Sequence, residues 1–201
     1  MARKVTITKE IILDAALRML IRDGYASINV KTLAAEIGCS TQPIVWHFEN
    51  MEGLRMALTR YAREYEMRKQ MSEFNDPAAS FEFIGRAYIK MAIEEPNLFR
   101  FLNLGEAPDE IRFDIKQIGT GKNHEALIKA MSEEFGISKK KVIDFVRNTI
   151  IYSHGVATLI ATGVVTGTEE EFMKMINKAA DGFLLVEGGD PKKAGMGRKK
   201  K

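Results

Sequence analysis

Residues 29–48 read NVKTLAAEIGCSTQPIVWHF, and this stretch decides the fold. It predicts two short helices joined by a tight turn. Asn29 is placed to cap the first, because its short side chain accepts a bond from an otherwise unpaired backbone N–H. Leu33, Ala34 and Ile37 then share one helical face, through the three-and-four spacing that stacks side chains. Gly38 stands where a helix ends and the chain needs a left-handed residue. Cys39 is small and apolar enough to plug the corner, and Ser40 is the expected cap of the second helix. Ile44 and Phe48, four residues apart, give that helix an inward stripe, leaving Thr41, Gln42, Pro43, Trp46 and His47 outward. A short helix that shows polar and aromatic side chains at its exposed N-terminal end has the form of a major-groove reader. The expectation is a DNA-binding helix-turn-helix.

The N-terminal part of the chain also resembles the TetR family of bacterial transcriptional repressors, which are all-helical homodimers. The resemblance rests on a leading amphipathic helix, Gly24-Tyr25, Asn29-Val30-Lys31-Thr32-Leu33-Ala34 and Gly38-Cys39-Ser40. It continues through Trp46-His47-Phe48 and Asn50-Met51-Glu52-Gly53-Leu54. Val45 and Met51 depart from it, since the family usually has a tyrosine and a lysine there, both touching DNA phosphates. The C-terminal part is similar mainly in helix layout, with Tyr152-Ser153-His154-Gly155-Val156-Ala157 matching a pattern of the penultimate, dimer-forming helix. The resemblance implies an all-α fold: a three-helix head with the helix-turn-helix, joined by a long helix to a helical ligand-binding and dimerisation body. It further implies that a ligand in the body tilts the long helix and changes the spacing of two heads. A dimer must set its recognition helices about 34–36 Å apart, or a multiple of that, to meet successive major grooves.

Charge is unevenly spread. The chain of 201 residues has a net charge of +3, yet residues 188–201 carry six Lys or Arg against one acid and hold +5, leaving −2 for the remainder. The pI of about 8.9 therefore belongs to the tail and says nothing of the folded part. Such a tail is either a phosphate-attracting extension or a disordered solubilising segment. One cysteine excludes an internal disulfide and fits a reducing cytoplasm. The opening residues lack the apolar run of a signal peptide. Asn148 to Val165 is largely apolar but contains Thr149, Ser153, His154, Thr158 and Thr162, which suits burial between subunits better than a membrane span.

Along the chain, Thr8 is expected to cap a first helix that Gly24 stops, with Ile12, Ala16, Met19 and Leu20 inward. Asn50 opens a long fourth helix over about 51–73. Asp76-Pro77 signals another, which Pro96 interrupts. Residues 97–121 are broken by Gly105, Pro108, Gly119 and Gly121, and read as two short helices. Later helices span about 123–135, 139–162 (capped by Ser138) and 169–186, the last opened by a capping box at Thr168. The expected domains are 1–50, which binds DNA, 51–187, which binds effector and dimerises, and 188–201, a basic disordered tail.

Gln42 suits a bidentate pair with adenine. Pro43 either presses on a thymine methyl or only stiffens the helix start. Ser40 and Thr41 fit phosphate, and Lys31 fits backbone or a guanine. Trp46 either packs on the fourth helix or lies against DNA sugar, while His47 is similar to the family's backbone-contacting histidine. Arg3 and Lys4, with Lys9 and Arg55, are expected to replace the missing phosphate contacts. His154, Gly155, Leu159, Phe172 and Ile176 are expected at a dimer interface, with a ligand contact as the alternative for His154. Phe81, Tyr88, Phe99, Phe101 and Tyr152 are candidates to line an apolar effector cavity, or are simply core. No His, Cys and carboxylate spacing suits a metal, and no nucleophile–base pair, phosphate loop or cofactor motif points to an enzyme. The leading function is a repressor released from a pseudo-palindromic operator by a small, apolar ligand. The alternatives are a nucleoid-type DNA-binding protein and a helical enzyme.

Overall fold

A computed structural model describes residues 7–72, 80–105, 115–120 and 125–192; the side chains of residues 70–72 and 80–82 lie outside that description. The described residues form helices and no strands, in keeping with the expected all-α class. In chain order these are α1 (Lys9–Asp23), α2 (Val30–Ile37), α3 (Gln42–Phe48), α4 (Met51–Ser72) and α5 (Ser80–Glu94). They are followed by α6 (Pro96–Asn103), α7 (Glu125–Phe135), α8 (Lys139–Ala161) and α9 (Glu169–Val186). The Asp76-Pro77 start signal lies outside the described residues, as do Arg3, Lys4 and the basic residues beyond Lys192.

The chain divides into two compact units. One comprises Met1–Asn75 with Glu94–Glu110, the other Asp76–Ile93 with Ile111–Lys201. In the first, α1 packs against α2, α3, α4 and α6, and the core includes Ile12, Leu20, Leu33, Ile44, Phe48, Leu54 and Leu58. The long α4, expected to open the body, thus lies in the same unit as the head. The bond between Tyr61 Oη and Asp14 Oδ1 joins α4 to α1. Asn97 Nδ2 donates to the carbonyls of Ile21 and Arg22, so α6 caps the open end of α1. Arg63 of α4 donates from Nη2 to the Leu102 carbonyl at 2.6 Å, tying α4 to the end of α6.

The second unit is built on α8, which packs against α7 and α9. Ile128, Met131, Phe135, Val142, Phe145, Val146, Ala180 and Leu184 fill its core. Gly136, with φ of 65°, turns the chain out of α7, and Ser132 Oγ closes that corner by donating to the Ile137 carbonyl. At the entry to α9, Thr168 Oγ1 accepts from the Glu171 N–H and Glu171 accepts from the Thr168 N–H, the expected capping box.

Two local expectations change. Ser40 does not cap α3: Thr41 holds the N-cap position with helical backbone angles, and no side chain bonds the first turn. Cys39 is only half-buried, because the turn is closed by backbone instead. Its N–H reaches the Ala34 carbonyl while the Gly38 N–H reaches Ala35, the paired bonds that end a helix through a left-handed glycine.

Candidate nucleic-acid interface

The start of α2 is held by a reciprocal pair of bonds. Asn29 Oδ1 accepts from the Lys31 and Thr32 N–H groups, and Thr32 Oγ1 accepts from the Asn29 N–H at 2.9 Å. Lys31 stands exposed on this rigid first turn. Ile44 and Phe48 of α3 are buried, so the helix turns the opposite stripe outward. Gln42, Val45, Trp46 and Glu49 are exposed, with the last three standing three, four and seven positions after the first. Pro43 and His47 flank it, half-buried.

Trp46 is 78% exposed, so of its two expected placements it does not take the one against the fourth helix. The core beneath α3 is already filled by Ile44 and Phe48, and the indole instead meets the edge of the His47 ring at 4.6 Å between centroids. His47 Nε2 lies 3.1 Å from the Ile7 carbonyl oxygen. A carbonyl only accepts, so Nε2 carries the proton and ties α3 to the segment entering α1. That nitrogen is committed to the head itself. Met51 opens α4 half-buried.

The cations near this face are partly engaged. Lys9 Nζ sits over the Phe48 ring at 5.4 Å from its centroid, and Arg55 lies over the Tyr25 ring at 5.5 Å. Arg55 also pairs with Glu52 at 3.8 Å. From Asn29 to Arg55 the charged residues are Lys31, Glu36, Glu49, Glu52 and Arg55, a net of −1 with His47 neutral. The outward face of α3 holds no cation.

These two helices, their left-handed glycine corner and the polar-to-apolar outward face of α3 match a known family. Residues 12–58 match the model of bacterial regulatory proteins, tetR family. The chain carries a tetR-family head. A head of this kind supports a DNA-binding transcriptional regulator. A search among curated proteins finds no match. Among the described residues no helix is long and apolar enough to cross a membrane, and no group of three or more His, Cys, Asp or Glu gathers to hold a metal.

Lys31, Ser40, Thr41, Gln42, Pro43, Trp46 and His47 all fall within α2, α3 and the turn between them. The residues expected at an effector cavity belong to both units. Phe99 and Phe101 are fully buried in the unit of the tetR-family head, with Phe101 stacked 5.0 Å from Tyr25. Tyr88 and Tyr152 belong to the other unit, and the Phe81 side chain lies outside the described residues. Tyr152 meets Phe183 edge-on. Tyr88 Oη lies 2.7 Å from His154 Nδ1, a pair 66 positions apart with no local signal in the sequence. Burial lowers the His154 pKa. Arg86 reaches Glu169 at 2.7 Å in the same unit.

The residues expected at a dimer interface also separate. Phe172 and Ile176 are buried within the chain, on the side of α9 that faces its own core. Gly155 and Leu159 are exposed, in line with exposed Ile151 at four-residue spacing on α8. A Cβ on Gly155 would meet nothing within 4 Å. On α9 the exposed apolar residues are Met175, Leu185 and Val186, with Gly182 between them.

Proposed function

We propose that the chain is a homodimeric repressor that a small molecule of apolar character releases from a pseudo-palindromic operator. Its reading helix is α3. The observation that carries this is the outward stripe of α3, where Gln42 stands exposed in the first turn on a helix locked by Ile44, Phe48 and the His47–Ile7 bond. A carboxamide in that position suits the paired donor and acceptor of an adenine edge. Lys31, Ser40 and Thr41 then hold phosphates, and Pro43 and Trp46 lie against the groove wall. With α3 itself holding no lysine or arginine and Glu49 following it, backbone attraction falls to Lys9, Arg3, Lys4 and the basic segment 188–201.

Exposed Ile151, Gly155 and Leu159 on α8, with Met175, Gly182 and Leu185 on α9, support the dimer as a face shared between two copies. Small residues between apolar ones let helices approach closely. The buried Phe172 and Ile176 act behind this face, holding α9 on α8. The domains follow the same division of labour: 1–50 for DNA, 51–187 for effector and dimer, 188–201 as a basic tail. The Tyr88–His154 bond places a polar pair in an apolar body, the composition of a ligand site.

Selection of bound DNA from a random pool tests the reading. An enriched inverted repeat with half-sites about one helical turn apart is expected. Recovery of DNA without any shared sequence would overturn it and leave a binder of backbone alone.

A further inference from the structure

We propose that Val45 reads the 5-methyl group of a thymine next to the pair read by Gln42. The inference rests on α3 being the reading helix and specifies what it selects. Val45 is 49% exposed, although Ile44 and Phe48 on either side of it in the sequence already fill the core under α3. About half of its apolar surface is therefore left outward on α3. Valine has no hydrogen-bonding group and cannot hold a phosphate. The apolar feature that the major groove offers is the thymine methyl.

Position agrees. Three residues of helix separate Gln42 from Val45 by about 4.5 Å along the axis, close to the roughly 3.4 Å between successive base pairs. Side chains one helical turn apart on the same face thus fall on neighbouring pairs. The next residue, Trp46, is also exposed, with its indole edge against the His47 ring. The selected unit is a step of adjacent A·T pairs in each half-site.

The test uses the full-length protein and its pool-selected site. Each thymine in a half-site is replaced in turn by deoxyuridine, which removes the methyl and leaves the pairing edge intact, and affinity is read by anisotropy of labelled DNA. One thymine per half-site should lose about three- to fivefold in affinity, the worth of one buried methyl. In Val45→Ala that penalty should vanish while any other thymine keeps its own. Val45→Ser, which removes both methyl groups and leaves a small hydroxyl, gives the same comparison if the alanine variant melts early. A selected site in which no thymine is sensitive overturns the proposal, and so does a penalty that survives both variants undiminished. If Gln42→Ala relaxes its own position while deoxyuridine is silent throughout, only the role of Val45 falls. If neither Gln42 nor Val45 variants alter the base profile, α3 is not the reader.

Discussion

Glu49 is the one non-glycine residue with positive φ among those described, at 62° with ψ of −50°. Its strain has a visible cause. The chain must leave α3 and enter α4 within two residues, and it does so by a γ-turn in which the Asn50 N–H reaches the Phe48 carbonyl at 2.6 Å. Asn50 Oδ1 then caps the Gly53 N–H, and a Cβ on Gly53 would fall 2.2 Å from the Phe48 carbonyl oxygen. Glu49→Gly should raise stability by about 0.5–1 kcal/mol, because glycine adopts positive φ without a Cβ clash. Gly53→Ala should lower it by more than about 1 kcal/mol despite the better helix propensity of alanine. Thermal melts of both variants check the pair, and a stabilised Gly53→Ala would mean this corner is not tight. At the same scale, Gln42→Ala should cost about 1–3 kcal/mol on the preferred operator, at one position per half-site, with random DNA hardly affected. The base-preference profile of the variant decides it, and an unchanged profile counts against Gln42.

Elements are held by two kinds of contact, local caps and distant clamps. The α9 cap is local and charged. Hydrogen bonds from the Thr168 backbone and side chain hold the Glu171 carboxyl below its ordinary value of 4.5. A depressed carboxyl pKa contributes stability above the ordinary value and loses it as pH falls through the folded one. Glu171→Ala should therefore lower the melting temperature near neutral pH and make little difference well below pH 4.5. A gap between variant and parent that persists in acid would show that the carboxylate charge is not what matters. The clamp on α6 is distant. Arg63→Met keeps an apolar stem but loses the bond to the Leu102 carbonyl, and should cost about 1–3 kcal/mol by chemical denaturation. A change within error would mean that α6 is held by its buried Leu98, Phe99 and Phe101 alone.

For the whole molecule the open question is assembly. Exposed Ile151 and Leu159 bracket a glycine with free space around it, and Leu185 is 60% exposed on α9. Apolar surface left uncovered on long helices favours a second copy. The native protein should be a dimer by light scattering at micromolar concentration. Gly155→Leu, which adds bulk where the copies approach, should shift it toward monomer while leaving the helical circular dichroism in place. A native monomer would remove the dimer, and with it the reason for a palindromic operator.

Much of this was legible in the sequence because its causes are local. Asn29, Gly38 and Thr168 act on N–H and carbonyl groups within a few positions of themselves, so residue type and spacing suffice to place the helix ends. The inward stripes of α1 and α3 follow from helical periodicity in the same way. Periodicity states that a stripe is buried, however, and not against what. Phe172 and Ile176 read as surface for a partner but are buried within the chain itself, and Phe99 and Phe101 read as either cavity lining or core and are fully buried in the head's unit. Trp46 reads as too apolar to leave exposed, yet its place beneath α3 was already taken. Tyr88 with His154, and Asn97 with the end of α1, are partnered across 66 and 76 positions of chain. Only tertiary packing brings such groups together, because no short-range rule relates residues that far apart.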